Sequence, residues 1–268
     1  MLTVALTAHK RGTACLPTLQ DGARPGSTRL LTPPESGGYG PSDMKAGGLL
    51  NFLRREVLVG EYEVFHRTLR EALVGTCESV LDVGCGFRSP LGTFSHLIPR
   101  TVGVDGYPQA IERSRAAGLH REYHCMNLME AGGFFGPKSF DAVIALDVIE
   151  HFDKPEGYRF LEMLESMARK RVILFTPNGF LPQNEWDGNV HQVHRSGWEA
   201  YDFELRGYRV TGMSGWKPLR GDYALPRIRP YPVGGFLSRL TEPFATRFPS
   251  QAFALLAIRD MEATGSAS

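Results

Sequence analysis

The residues of this chain best suited to chemistry gather in VLDVGCGFRSP (80–90), where an apolar run ends on Asp82 and breaks at Gly84 and Gly86. Glycines at a strand end permit positive φ and bring backbone N–H groups close to a ligand, most often a phosphate. A carboxylate at 82 would repel a diphosphate but would suit an ammonium or a sulfonium. A second acid, Asp105, closes the stretch TVGVD, 21 positions after Gly84. At the carboxyl end of a neighbouring parallel strand it would accept hydrogen bonds from both hydroxyls of a ribose. A dinucleotide turn would want a third glycine where Ser89 stands. The pattern favours a cationic adenosine cofactor.

These residues need a parallel sheet to hold them. Apolar stretches predict strands at Ser79–Val83, Thr101–Asp105, Glu122–Met126, Phe140–Leu146 and Arg171–Thr176. Helices are expected after Pro90, over Pro108–Ala117 and over Glu156–Ala168, the last with Phe160, Leu164 and Met167 inward. Leu58, Tyr62, Phe65, Leu69 and Leu73 form the stripe of an earlier amphipathic helix, stopped at Gly75. Tyr208–Met213 and Phe253–Arg259 read as two closing strands, with 214–250 an insertion rich in proline, arginine and aromatics. Strands alternating with helices imply an α/β fold, a parallel sheet covered on both faces.

VLDVGCGFRSP, VGVDGYPQAI and FDAVIALDVIEHF together resemble the successive sheet motifs of class I S-adenosylmethionine-dependent methyltransferases of the type 11/12 kind. The resemblance is strong over about 78–177 and looser to about 260. It implies a Rossmann-like three-layer sandwich with a seven-stranded, mostly parallel sheet and an antiparallel last strand. It implies S-adenosyl-L-methionine as cofactor. By the resemblance, Asp82, Gly84, Cys85 and Gly86 form the loop around its methionine part, with Cys85 a small apolar filler and not a nucleophile. Asp105 is the ribose-binding acid, and Gly106 and Tyr107 follow where adenine packs. Asn127 and Leu128 occupy the turn where an aspartate often meets the adenine amine. Asp147 either faces the ligand or caps the next helix. Arg88 replaces a frequent third glycine and implies a wider loop or a guanidinium reaching cofactor or substrate.

Methyl transfer from a sulfonium is an in-line displacement, so the protein must align the nucleophile, exclude water and often remove a proton. His151, in LDVIEH after the fourth strand, is the leading base candidate, because imidazole titrates near neutral pH. The loop TPNGFLPQNEWDGNVHQVHRSGWE offers Asn178, Trp186, Asp187, His191, His194 and Trp198 for a substrate wall. His191 and His194 are further catalytic candidates. No third ligand is evident for them, so no metal is expected. Ser196 and Glu199 read as a capping box. The Asn/Asp-Pro-Pro-aromatic motif of amino methyltransferases is replaced by ALDV, which favours an oxygen acceptor, a small molecule or saccharide.

Composition narrows the partners. A net charge of +1 gives no global field for nucleic acid or anionic membrane. The run Arg169-Lys170-Arg171 is expected at a helix end, where it suits the macrodipole. In 214–250, Trp216, Arg220, Tyr223, Arg227, Arg229 and Tyr231 are candidates for an acidic or saccharide-like substrate or a membrane surface. No apolar run approaches a transmembrane length. The four cysteines form no C-x-x-C motif, and reduced thiols in a cytoplasmic protein are expected. Residues 21–48 hold seven glycines, four prolines and three serines, so 1–48 is expected to be a disordered leader, with Met44 an alternative start. The methyltransferase domain is expected over 49–262 and a disordered tail over 263–268. A nicotinamide-dependent oxidoreductase and a catalytically silent fold-mate serving as a binding subunit are the competing readings.

Overall fold

The computed structural model describes residues 64–184, 190–221 and 224–261. The expected leader, the tail, Trp186, Asp187 and Tyr223 lie outside them. Seven strands form one sheet: β1 (Ser79–Val83), β2 (Arg100–Asp105), β3 (Glu122–Cys125), β4 (Phe140–Leu146), β5 (Ala168–Pro177), β6 (Arg209–Trp216) and β7 (Ala252–Asp260). Their order is β3-β2-β1-β4-β5-β7-β6, parallel except for β7, which runs antiparallel to both β5 and β6. The expected sheet is thus present, with its antiparallel strand inserted last.

Period-two alternation explains the two cores. In β1, Leu81 and Val83 join Val143 and Ala145 of β4 on one face, while Val80 joins Ala142 and Ile144 on the other. The first face is covered by α4 (Lys154–Met167), through Phe160, Leu161, Leu164 and Met167. The second is covered by the helical stretch α1 over 64–73, through Phe65, Leu69 and Leu73. The apolar stripe foreseen there continues to that helix's end, and its earlier members lie outside the described residues. α2 (Pro108–Ala116) and α3 (Ala131–Phe135) cover the β2–β3 side.

Several local expectations fail. After Pro90 there is no α-helix but two 3-10 turns, Pro90–Thr93 and Ser95–Leu97. Gly92 sits so close to Leu119 that a Cβ there would lie 2.6 Å from its Cδ2. Arg169, Lys170 and Arg171 belong to β5 and not to a helix end. They are held by ion pairs, Arg169 and Lys170 to Asp141 at 2.9 and 3.0 Å, Arg171 to Asp260 at 3.0 Å. Trp198 lines no open wall: it is fully buried against Gly157, and Lys154 lies 3.9 Å from its ring. Ser196 caps nothing; its hydroxyl accepts the Trp198 indole N–H, and Glu199 and Asp202 form the capping box of α5 (Ala200–Glu204). Cys77 and Cys85 are free and buried, as reduced thiols would be.

The 214–250 segment folds into α6 (Tyr231–Leu240), α7 (Glu242–Arg247) and short turns against the β6 edge. Arg220 is buried there, bonded to the Ser214 and Ala224 carbonyls and the Ser238 hydroxyl. Burial lowers its pKa to about 10. That is an anchoring arginine, not one presented to substrate. No helix among the described residues is long and apolar enough to cross a membrane.

Candidate active site

β1 pairs with β2 on one side and β4 on the other, so strand order reverses between β1 and β4, where open α/β sheets bind ligands. The glycine turn lies at that end. Gly84 and Gly86 adopt φ of +80° and +54°, and the Gly84 and Cys85 N–H groups donate to Val104 O at 2.7 and 2.9 Å. The two glycines differ in surroundings. A Cβ on Gly84 would meet Val148 Cγ2 at 2.5 Å, whereas a Cβ on Gly86 would meet nothing within 4 Å. Gly84 is small to let the segment after β4 approach, and Gly86 borders open space.

Asp105, half-buried at the end of β2, accepts the Gly86 N–H on Oδ2 at 2.9 Å and the Tyr107 N–H on Oδ1 at 2.8 Å. A carboxylate has about four acceptor sites, so one on each oxygen is still open for a vicinal diol. Burial raises its pKa, the two N–H groups oppose that, and His191 lies near enough to help them. Asp82 behaves differently from its expected role. Its carboxylate is buried and engaged internally, accepting the Ser89 hydroxyl and meeting His120 Nε2 at 2.9 Å. It shapes the turn from within and does not face a cofactor ammonium. Ser89, where a third glycine was wanted, is present for this bond. Cys85 is buried beside both acids, and burial with their negative charge pushes its thiol far up, which leaves it inert.

Around these, Gly106 is exposed and Tyr107 half-buried ahead of α2, with the Met126 N–H bonded to Asp105 O at 3.1 Å. That bond sets the turn after β3 beside Asp105. Asn127 is exposed and its Oδ1 caps the next 3-10 turn through Met129 N–H at 3.0 Å. Its amide N–H₂ remains for a ligand. Leu128 is half-buried against the core. Arg88 is exposed and packs over its neighbour Phe87, 5.2 Å from the ring centroid, with Arg113 at 3.4 Å. Its guanidinium lies over that ring.

The residues after β4 form the opposite wall. Asp147 has φ of +55°, a strained conformation for a residue with a Cβ, with its N–H bonded to Phe175 O at 2.8 Å. It reaches solvent, yet the protein crowded around it raises its carboxyl. Glu150 is 2 % exposed; Oε2 accepts the Thr176 hydroxyl at 3.0 Å and Oε1 has no partner. Burial, then Asp147, drives its pKa well up. Glu150 O accepts the Arg195 and Ser196 N–H groups, at 2.8 and 3.1 Å, and so draws in the loop after β5. His151 and His194 meet edge to face there, ring centroids 4.9 Å apart. Burial, then His194, pushes His151 down to about 4. Burial also lowers His194.

The expected catalytic histidines therefore separate, His151 with His194 on the Glu150 side and exposed His191 on the Asp105 side. Asn178 leaves the proposed wall: its side-chain N–H₂ is tied to the carbonyls of Pro249, Ser250 and Ala252. Sequence reasoning missed His120, a single histidine in a loop with nothing around it to mark it. Glu150 was in view as the residue before His151 in LDVIEH but was given no role of its own.

The residues fit S-adenosylmethionine: an acid with acceptor capacity for a diol, open space at Gly86, and an exposed amide in the turn after β3. Residues 81–175 match the family described as methyltransferase domain. No curated protein sequence matches. Among solved structures, a SAM dependent methyltransferase from Archaeoglobus fulgidus is 18% identical, over 79% of this chain and 99% of its own, with a TM-score of 0.49. The magnesium protoporphyrin IX methyltransferase from Synechocystis PCC 6803 with bound SAM is 16% identical, over 84% and 87%, at 0.45. The cyclase SpnF is 14% identical, over 75% and 81%, at 0.49. At such scores these three resemble the chain in outline alone. Residues 81–175, which carry β1 to β5 apart from the first residues of β1 and the last of β5, are thus similar to a methyltransferase domain, and the seven-stranded sheet is built around them.

Proposed function

We propose that the protein transfers the methyl group of S-adenosylmethionine to an oxygen of a small-molecule or saccharide-type acceptor. The observation that carries the reading is Asp105, whose two oxygens each hold one backbone N–H and keep acceptor capacity beside the open flank of Gly86. In this reading Asp105 binds the ribose hydroxyls. Gly84, Cys85 and Gly86 border the methionine part, Gly106, Tyr107, Asn127 and Leu128 border adenine, and Asp147 lies across from them. The bound cofactor supplies an electrophilic methyl on a sulfonium and leaves as a neutral thioether. The protein's work is to align an acceptor oxygen and take up or pass on its proton.

The oxygen acceptor is supported by the ALDV sequence in place of the amino-methyltransferase motif, and by a wall bearing uncharged imidazoles. His151, at a pKa of about 4, is a weak proton acceptor for an alcohol, so exposed His191 beside Asp105 is the better placed of the three to receive the proton. Calorimetric titration with S-adenosylhomocysteine and, separately, with NAD tests the cofactor. Binding of the homocysteine compound is expected; binding of NAD alone overturns the reading and returns the oxidoreductase alternative.

A further inference from the structure

Glu150, His151 and His194 each offer one ligand atom, and these atoms all lie within 4.8 Å of one another. Three independent features point to an ion. First, the Glu150 side chain is almost completely buried and Oε1 has no partner, which is costly for a polar atom. Second, His151 Nδ1 meets Val193 O at 3.2 Å and His194 Nδ1 meets Leu181 O at 2.6 Å. A carbonyl only accepts, so each Nδ1 carries the proton, which leaves neutral His194 its lone pair on Nε2, while His151 also meets the Asp147 backbone. A backbone carbonyl fixing the far nitrogen is how proteins orient metal-bound histidines. Third, the cluster is tied together by backbone, since Glu150 O holds the Arg195 and Ser196 N–H groups beside His194.

We propose that Glu150, His151 and His194 bind a first-row divalent cation of the zinc class. Two imidazoles and one carboxylate form a three-protein-ligand set that leaves a coordination position open, and imidazole favours such ions over magnesium or calcium. Metal–ligand bonds of about 2.1 Å put tetrahedral ligands about 3.4 Å apart, so binding closes the cluster by roughly 1 Å.

The site adjoins the cofactor turn, because Val148, two residues before Glu150, packs against Gly84. On the methyl-transfer reading, on which this role rests, the open position takes the acceptor oxygen. The acceptor O–H passes its proton through water to His191, the oxygen forms a bond to the methyl carbon, and the carbon–sulfur bond breaks with its electron pair on sulfur. The acceptor class is then an alcohol or phenol.

The test uses untagged full-length protein, stripped with a chelator and titrated with zinc chloride alone, with S-adenosylhomocysteine titrated into the same samples. One zinc per chain at micromolar affinity or tighter is expected, weakened at least tenfold in His194→Ala and in Glu150→Gln. Glu150→Gln keeps the side chain's shape and decides the matter if His194→Ala fails to fold. No zinc uptake by the parent, or parent affinity in Glu150→Gln, overturns the proposal. Homocysteine-compound binding without zinc removes only the ion; zinc binding without it supports the ion and removes the methyl-transfer reading.

Discussion

Alanine at Gly84 and at Gly86 should produce opposite failures. Both positions have positive φ, which costs an L-residue about 1–2 kcal/mol. At Gly86 nothing lies within 4 Å of the new Cβ, so that strain is the whole stability cost. At Gly84 the Cβ would stand 2.5 Å from Cγ2 and 3.1 Å from Cγ1 of Val148. Val148 is 5 % exposed and cannot swing into solvent. Overpacking adds about 1–3 kcal/mol, so Gly84→Ala should lose roughly 2–5 kcal/mol in all. Gly86→Ala should stay folded but bind S-adenosylhomocysteine at least tenfold more weakly, about 1.4 kcal/mol, because its methyl enters the space bordering the cofactor. Urea denaturation and calorimetry on both variants read these quantities. Equal stability of the two would refute the Val148 contact, and parent affinity in Gly86→Ala would refute the turn's place against the cofactor.

Asp141 is held below the usual carboxylate range: partial burial pushes it up, but the Glu78 N–H, Lys170 and Arg169 outweigh that. A depressed folded pKa adds stability that is present above the unfolded value of about 3.9 and lost as pH falls through the folded one. Asp141→Asn should therefore cost about 1–3 kcal/mol at pH 7 and little in strong acid, read by thermal unfolding across pH, the cationic partners being half exposed. Gly157→Ala sets a helix-propensity gain of about 1 kcal/mol against a Cβ that would lie 2.4 Å from the buried Trp198 ring. Net destabilisation is expected in urea, and a gain would mean that the indole can move.

The strands were legible because each is an apolar run bounded by a turn; β1 and β4 fall where the pattern put them, and the others differ at their ends. The glycine turn and Asp105 were legible for a similar reason: their spacing is local to two adjacent strands. Asp82 shows the limit. Its position is right, but its carboxylate turns to Ser89 and His120, and His120 reaches it across 38 residues of chain. The same holds for His194, which joins Glu150 and His151 only because backbone bonds pull the loop after β5 onto the turn after β4. No periodicity encodes such a convergence. Ser196 was misread because a capping box has a near-duplicate three residues on, and Trp198 because an aromatic in a long loop looks exposed until its packing against Gly157 is seen.

The central claim is that Asp105 holds the ribose of an adenosine cofactor. The affinity of Asp105→Ala for S-adenosylhomocysteine, beside that of the parent, tests it most directly. Losing a charged acceptor for ribose hydroxyls should weaken binding at least tenfold, a cost of about 1.5–3 kcal/mol. An unchanged affinity, in a variant that still unfolds cooperatively, would contradict it.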